Sequence, residues 1–222
     1  MIDMKKPLGK IKVLNLYAGI GGNRKLWENV EVTAIELDKD IAKIYHDFFP
    51  DDKVIITDAH PFLLENYEDY DLLWSSPPCP THSQFRKGFS CNNNAKAVFP
   101  DMKLYEEVIF LEGYFKGKYC VENVISYYEP LIKPQILQRH YFWSNFYIPY
   151  IDFESDKMNI TGGYDDTDDL QIERLEKRFG FDLRKYDMNK TMKRTILRNC
   201  VNPKLALYIW DCAFKGKQEV LK

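Results

Sequence analysis

Residues 11–22 read IKVLNLYAGIGG, an apolar, β-rich run that opens into a glycine cluster. Ile11, Val13, Leu14 and Leu16 suit a buried strand over 11–17. Glycines between a strand and a helix let the backbone approach a ligand closely, with the helix N-terminus facing it. Residues 23–30 then read as a short helix, and VTAIEL (32–37) as a second strand ending in an acid. Glu36 falls 17 residues after Gly19, suitably placed for ribose hydroxyls. A dinucleotide and S-adenosylmethionine both use this arrangement, and the spacing leaves them open.

The same alternation continues along the chain. DKDIAKIYHDFF (38–49) has an aspartate N-cap and apolar residues at helical spacing. KVIIT (53–57) is a third strand, followed by Asp58, which either recognises an adenine amino group or caps the next turn. YDLLWSS (70–76) is a fourth strand, 96–115 a helix through Tyr105, Val108, Ile109 and Tyr114, and KYCVEN (118–123) a fifth strand. HYFWSNFYI (140–148) adds a later strand from a hairpin. Residues 150–190 are less regular, and 202–214 form a closing helix capped by Asn202, with Pro203 in its first turn. Strands alternating with helices predict an α/β fold with a doubly wound, mostly parallel, Rossmann-like sheet. In such sheets ligands bind beyond the carboxyl ends of the strands, here Tyr17, Glu36, Thr57, Ser76 and Glu122.

The 222 residues are within reach of one large domain. With 45% hydrophobic and 29% charged residues, composition is that of a soluble globular protein. No apolar run approaches the roughly 20 residues of a membrane span. The opening MIDMKKPLGK lacks the apolar core of a secretory signal. Five cysteines without a close pair point to free thiols in a reducing cytoplasm, and to no metal site. The net charge of −2 hides an asymmetry: 151–170 carry seven acids against one lysine, and 171–204 carry ten Lys/Arg against four Asp/Glu. The basic block is either a polyanion-facing surface or a solvated helix face with i,i+4 pairs.

LLWSSPPCPTHS (72–83) sets Cys79 just past a strand end, among Pro77, Pro78 and Pro80. A thiolate is a strong nucleophile, and a rigid proline-flanked loop fixes its direction. VENV (121–124) brings Glu122 to the same edge of the sheet. A carboxyl group near a thiolate in a closed site is pushed toward its protonated form, so Glu122 can give a proton to a ring nitrogen. Asn123 is placed to hold that carboxyl group or the substrate.

In this order, LNLYAGIGG, AIELD, TDAH, SPPCPTHS, VENV, QRHYFWSN and RNCVNPKLA resemble the motifs of DNA cytosine-5 methyltransferases. The resemblance covers about residues 11–146 and 190–214. It implies an S-adenosylmethionine-dependent methyltransferase acting on a cytosine flipped out of double-stranded DNA. The family's nucleophile falls on Cys79 and its catalytic glutamate on Glu122, with Asn123 beside it and Arg139 as a substrate contact. Its cofactor contacts fall on Tyr17, Ala18, Gly19, Ile20, Gly21, Gly22, Glu36, Leu37, Asp58, Ala59 and Pro78. The last motif adds Asn199 and Val201. Nucleic-acid contacts fall on Ser83, Arg86 and Lys87, in a loop 81–94 hinged at Gly88 with His82 also facing phosphates, and on Arg194 in the basic block. The organisation implied is a catalytic and cofactor-binding domain at 1–145, a small target-recognition insertion at 146–190, and a returning segment at 191–222.

The chain also departs from the family. Pro80 stands where the family has Gln after the catalytic Cys. Gln138-Arg139-His140-Tyr141 meets the Gln-x-Arg-x-Arg motif only in part, without its second arginine. Asn202 replaces a proline and Arg198 a glycine. The recognition segment is short, so target recognition is minimal or uses a protein partner. Three other readings compete. SPPC resembles the Ser-Pro-Pro-Tyr motif of amino methyltransferases, which leaves VENV unexplained. An RNA cytosine methyltransferase could use Cys120, which reads better as strand packing, whereas a transfer-RNA enzyme of the DNA type stays open. The third is a relative that binds without catalysis, against which stand Cys79, Glu122 and Asn123.

Overall fold

Period-2 burial splits each strand between two apolar layers. In the computed structural model, residues 9–84, 96–153 and 167–215 are described. They form a seven-stranded sheet from β1 (Ile11–Leu16), β2 (Val30–Glu36), β3 (Lys53–Ile56), β4 (Leu72–Ser75), β5 (Lys118–Val124), β6 (Gln135–Leu137) and β7 (His140–Ser144). Val13, Leu72, Trp74, Cys120 and Phe142 fall on one face, with Trp27 and the C-terminal helix α6 (Pro203–Phe214). Their neighbours Leu14, Leu16, Leu73, Val121, Tyr141 and Trp143 fall on the other. There they meet α2 (Ala59–Asn66) and α3 (Lys103–Tyr114). A strand buried on both faces needs a continuous apolar run, which IKVLNL and DLLW provide.

The strand order is β3-β2-β1-β4-β5-β7-β6, with β1 to β5 parallel and β7 antiparallel to both β5 and β6. The order reverses between β1 and β4, which opens the crevice where such sheets bind ligands. The doubly wound sheet and the terminal hairpin therefore match the sequence reading. Among the described residues, no helix is long and apolar enough to cross a membrane.

Some elements differ. Residues 23–30 make only a 3-10 turn at Arg24–Leu26, because Asn29 takes a positive φ of 56° and Trp27 leaves the turn extended. Trp27 then packs between Trp74 and Trp210, at ring distances of 5.6 and 5.3 Å. The helix expected from 96 begins only at Lys103, after Pro100 has disfavoured the helical region for its predecessor. Asp58 caps a full helix, α2, rather than a turn. α1 (Lys39–Phe48) starts at the Asp38 cap as expected, Asp38 accepting from the Asp40 and Ile41 amides.

The region read as irregular contains α4 (Asp168–Phe179), between a Thr167 N-cap and Gly180 at φ 71°. α5 (Lys190–Arg198) follows it. Their stripe of Ile172, Leu175, Phe179, Ile196 and Leu197 packs on Ile44 of α1 and on Ile20 of the glycine turn.

Candidate active site

Three positive φ angles shape the turn after β1: Tyr17 at 54°, Gly19 at 55° and Gly21 at 83°. The Glu36 carboxylate braces it, with Oε2 accepting from the Gly19 amide and Oε1 from the Asp38 amide, both at 2.9 Å. Gly21 closes the turn on the Ala18 carbonyl at 3.0 Å. A Cβ at Gly21 would lie 2.3 Å from the Phe49 ring, and one at Gly22 would lie 2.6 Å from the Val201 carbonyl. The Asn199–Val201 segment between α5 and α6 thus comes back against the glycine turn. Val201 is buried there, and Asn199 is exposed at the end of α5.

Other members of the expected cofactor set have different surroundings. The Ile20 side chain is core, 1% exposed, and Ala18 and Ala59 are buried, so only their backbones could meet a ligand. Leu37 and Ile56 are 68% and 57% exposed at the ends of neighbouring strands, where Glu36 pairs with Ile56 in register. Two exposed apolar side chains around an acid fit a nucleoside. Asp58 caps α2 by accepting from the His60 amide at 3.0 Å, and Lys103 Nζ lies 3.8 Å away.

A buried glutamate that sequence reasoning missed lies behind this turn. Glu107 of α3, 1% exposed, accepts from the Tyr17 hydroxyl and the Ser75 hydroxyl, each at 2.6 Å, and meets His60 Nδ1 at 3.1 Å. The network joins the ends of β1 and β4 to α2 and α3. Its only signal in the sequence was a glutamate on the helical stripe of Leu104, Val108 and Leu111.

The loop after β4 folds back on itself, the Cys79 carbonyl accepting from the His82 and Ser83 amides at 3.0 and 3.1 Å. Pro78 is exposed and Cys79 half-buried. Ser83 bridges to Ser126, so this strip lies along the segment after β5. Asn123 Nδ2 donates to the Pro77 carbonyl at 3.0 Å, and its Oδ1 accepts from the Val124 amide at 2.9 Å. Asn123 therefore holds the loop rather than the carboxyl group. Burial pushes the Cys79 thiol up, and the Glu122 carboxylate raises it further. Cys120 is fully buried among core side chains, as strand packing requires.

Glu122, 7% exposed, meets His140 Nδ1 at 2.5 Å through Oε1. Arg139 is exposed in the turn between β6 and β7. The group that contacts the glutamate is therefore His140, in the stretch where the motif match was incomplete. A thiol and a carboxyl group at adjacent strand ends, with an imidazole on the carboxyl, can support nucleophilic addition and proton donation to one substrate ring.

Arg86, Lys87 and Gly88 lie outside the described residues. His82 is not a phosphate contact: it is 1% exposed, bonded to the Tyr128 hydroxyl at 2.5 Å, and burial lowers its pKa. Arg194 pairs with Asp168, Lys190 with Asp169 at 2.5 Å, and Arg198 donates to Gln171 at 3.0 Å. Part of the basic block is thus neutralised by the start of α4.

Residues 11–108 match the family described as C-5 cytosine-specific DNA methylase. A curated relative, the type II methyltransferase M.Bsp6I of Bacillus sp. (strain RFL6), is 33% identical over 46% of this chain and 36% of its own length. The chain thus matches about a third of that relative. Among solved structures, the Entamoeba histolytica methyltransferase EhMeth superposes with a TM-score of 0.59 at 14% identity, covering 95% of this chain and 99% of that one. That likeness shows a methyltransferase fold along nearly the whole chain.

Proposed function

We propose, from the kinship of residues 11–108 with the C-5 cytosine-specific DNA methylases, that this chain transfers a methyl group to carbon 5 of cytosine in DNA. What supports the reading most is the Asn123–Pro77 hydrogen bond, which ties the loop of Cys79 to the strand end of Glu122. The Gly19–Gly22 turn, Glu36, Leu37 and Ile56 would hold S-adenosylmethionine, whose sulfonium supplies an electrophilic methyl group when bound.

Carbon 5 of cytosine is a weak nucleophile. Addition of the Cys79 thiolate to carbon 6, with a proton reaching N3 from Glu122, makes carbon 5 enamine-like. Carbon 5 then takes the methyl, and loss of its proton with expulsion of Cys79 restores the ring. A base reaches such a site only by leaving the duplex. Burial, and then the Glu122 carboxylate, raise the Cys79 thiol, so it must give its proton to solvent before the thiolate adds to carbon 6. Ser83, Arg86, Lys87 and other cations of the basic block would hold phosphates, positioning the duplex without reading sequence. The short segment at 146–190 favours a short or relaxed target, or recognition supplied by a protein partner.

The test is incubation with methyl-labelled S-adenosylmethionine and either duplex DNA or RNA, then digestion to nucleosides. Label in 5-methyldeoxycytidine supports the proposal. Label in a ribonucleoside moves the substrate to RNA, and label on an exocyclic nitrogen replaces the chemistry.

A further inference from the structure

Resting on the methyl-transfer reading above, we propose that His140 is the positioning residue for Glu122 and shares with it the proton that the cytosine ring receives. The two side chains come from adjacent antiparallel strands. Glu122 lies opposite Phe142 and Val124 opposite His140, so Glu122 and His140 share one face on a diagonal. His140 Nδ1 and Glu122 Oε1 are 2.5 Å apart, and the Phe142 ring stands 6.2 Å from the imidazole. Glu122 Oε2 has no hydrogen-bond partner among the described residues.

An arginine beside Glu122 would hold a fixed charge and release no proton. A histidine does both jobs at working pH. When the pair is neutral overall, Nδ1–H donates to Oε1, and one further proton sits on His140 Nε2 or on Glu122 Oε2. In the second form the Oε2–H bond breaks as N3–H forms on the ring. The carboxylate left behind keeps the Nδ1–H hydrogen bond, and the proton returns when the ring is restored.

Among the described residues, the other titratable groups coupled to Glu122 are Cys79 on the loop after β4 and Cys120 on β5, each raised first by burial and then by the Glu122 carboxylate, while Arg139 in the β6–β7 turn is exposed. Methyl transfer needs the Cys79 thiolate and the proton held by the pair at the same time.

H140Q keeps an N–H donor for Oε1 and holds no proton that it can give to the ring. It is expected to lose roughly tenfold or more in kcat, with KM for DNA little changed. In protein labelled with 15N-histidine, a downfield Nδ1–H resonance that H140Q removes should also vanish in E122Q. H140Q with the wild-type kcat, or a resonance indifferent to E122Q, overturns this inference and leaves methyl transfer standing. Wild type that transfers no methyl to any cytosine overturns both.

Discussion

Asn123 Nδ2 donates to the carbonyl of Pro77 at 3.0 Å, so the strand end carrying Glu122 holds the loop carrying Cys79. Asn123 is 2% exposed and also caps the Val124 amide with its other amide atom. Asn123→Ala leaves a buried carbonyl and a backbone amide without partners. A loss of about 1–3 kcal/mol in denaturant unfolding is expected. Methyl transfer should fall more steeply than stability, because a misplacement near 1 Å costs on the order of 100-fold in rate. Unchanged kcat in a folded Asn123→Ala protein contradicts the bracing role.

Glu122 acts on Cys79 through space. Burial is the larger cause of the raised thiol, and the carboxylate adds to it. Glu122→Gln removes that charge, lowers the thiol's pKa and increases the thiolate fraction at any pH below it. Iodoacetamide should then label Cys79 faster at pH 8, read by peptide mass spectrometry, although catalysis is lost. Slower labelling contradicts the coupling.

Glycine positions separate strain from open space. A Cβ at Gly22 meets the Val201 carbonyl at 2.6 Å and Cys200 Cβ at 3.0 Å, whereas Gly113, near the end of α3, has nothing within 4 Å. Gly22→Ala should therefore destabilise by about 1–3 kcal/mol and weaken S-adenosylmethionine binding in calorimetry. Gly113→Ala should stabilise by about 0.5–1 kcal/mol. A neutral Gly22→Ala breaks the link between the last motif and the glycine turn.

His60 couples stability to pH. Its hydrogen bond to Glu107 raises its pKa against a smaller opposing effect of burial. The sign follows from linkage: a pKa higher in the folded state stabilises below the unfolded value, near 6.5, and that gain is lost as pH rises through the folded value. Wild type should lose more stability than His60→Gln between pH 6 and pH 9. Parallel pH profiles for the two proteins contradict the assignment.

Much of this was legible because parallel strands buried on both faces announce themselves. IKVLNL, VTAIEL and DLLW are apolar runs that only a covered sheet can bury, and each leads into a turn or loop that carries candidate site residues. The hidden parts had polar residues doing structural work. α4 shows a highly charged sequence, yet Ile172, Leu175 and Phe179 recur at helical spacing and are buried. Glu107 sits on the buried stripe of a helix that also carries Glu106 and Glu112, and its three partners lie 90, 32 and 47 residues away, beyond any local pattern. His140 was in view as the place where a motif failed. Its contact with Glu122 depends on the register of β5 and β7, which spacing alone does not give.

The central claim is a covalent bond from Cys79 to a pyrimidine. The measurement uses duplex DNA carrying 5-fluorocytosine with S-adenosylmethionine, comparing wild type with Cys79→Ala on a denaturing gel. Fluorine at carbon 5 cannot leave as a proton does, so the adduct is trapped. A denaturant-resistant, cofactor-dependent complex formed by wild type and absent from Cys79→Ala is the predicted result. An adduct that persists in Cys79→Ala, or no adduct from a wild type that methylates the unfluorinated duplex, contradicts the account.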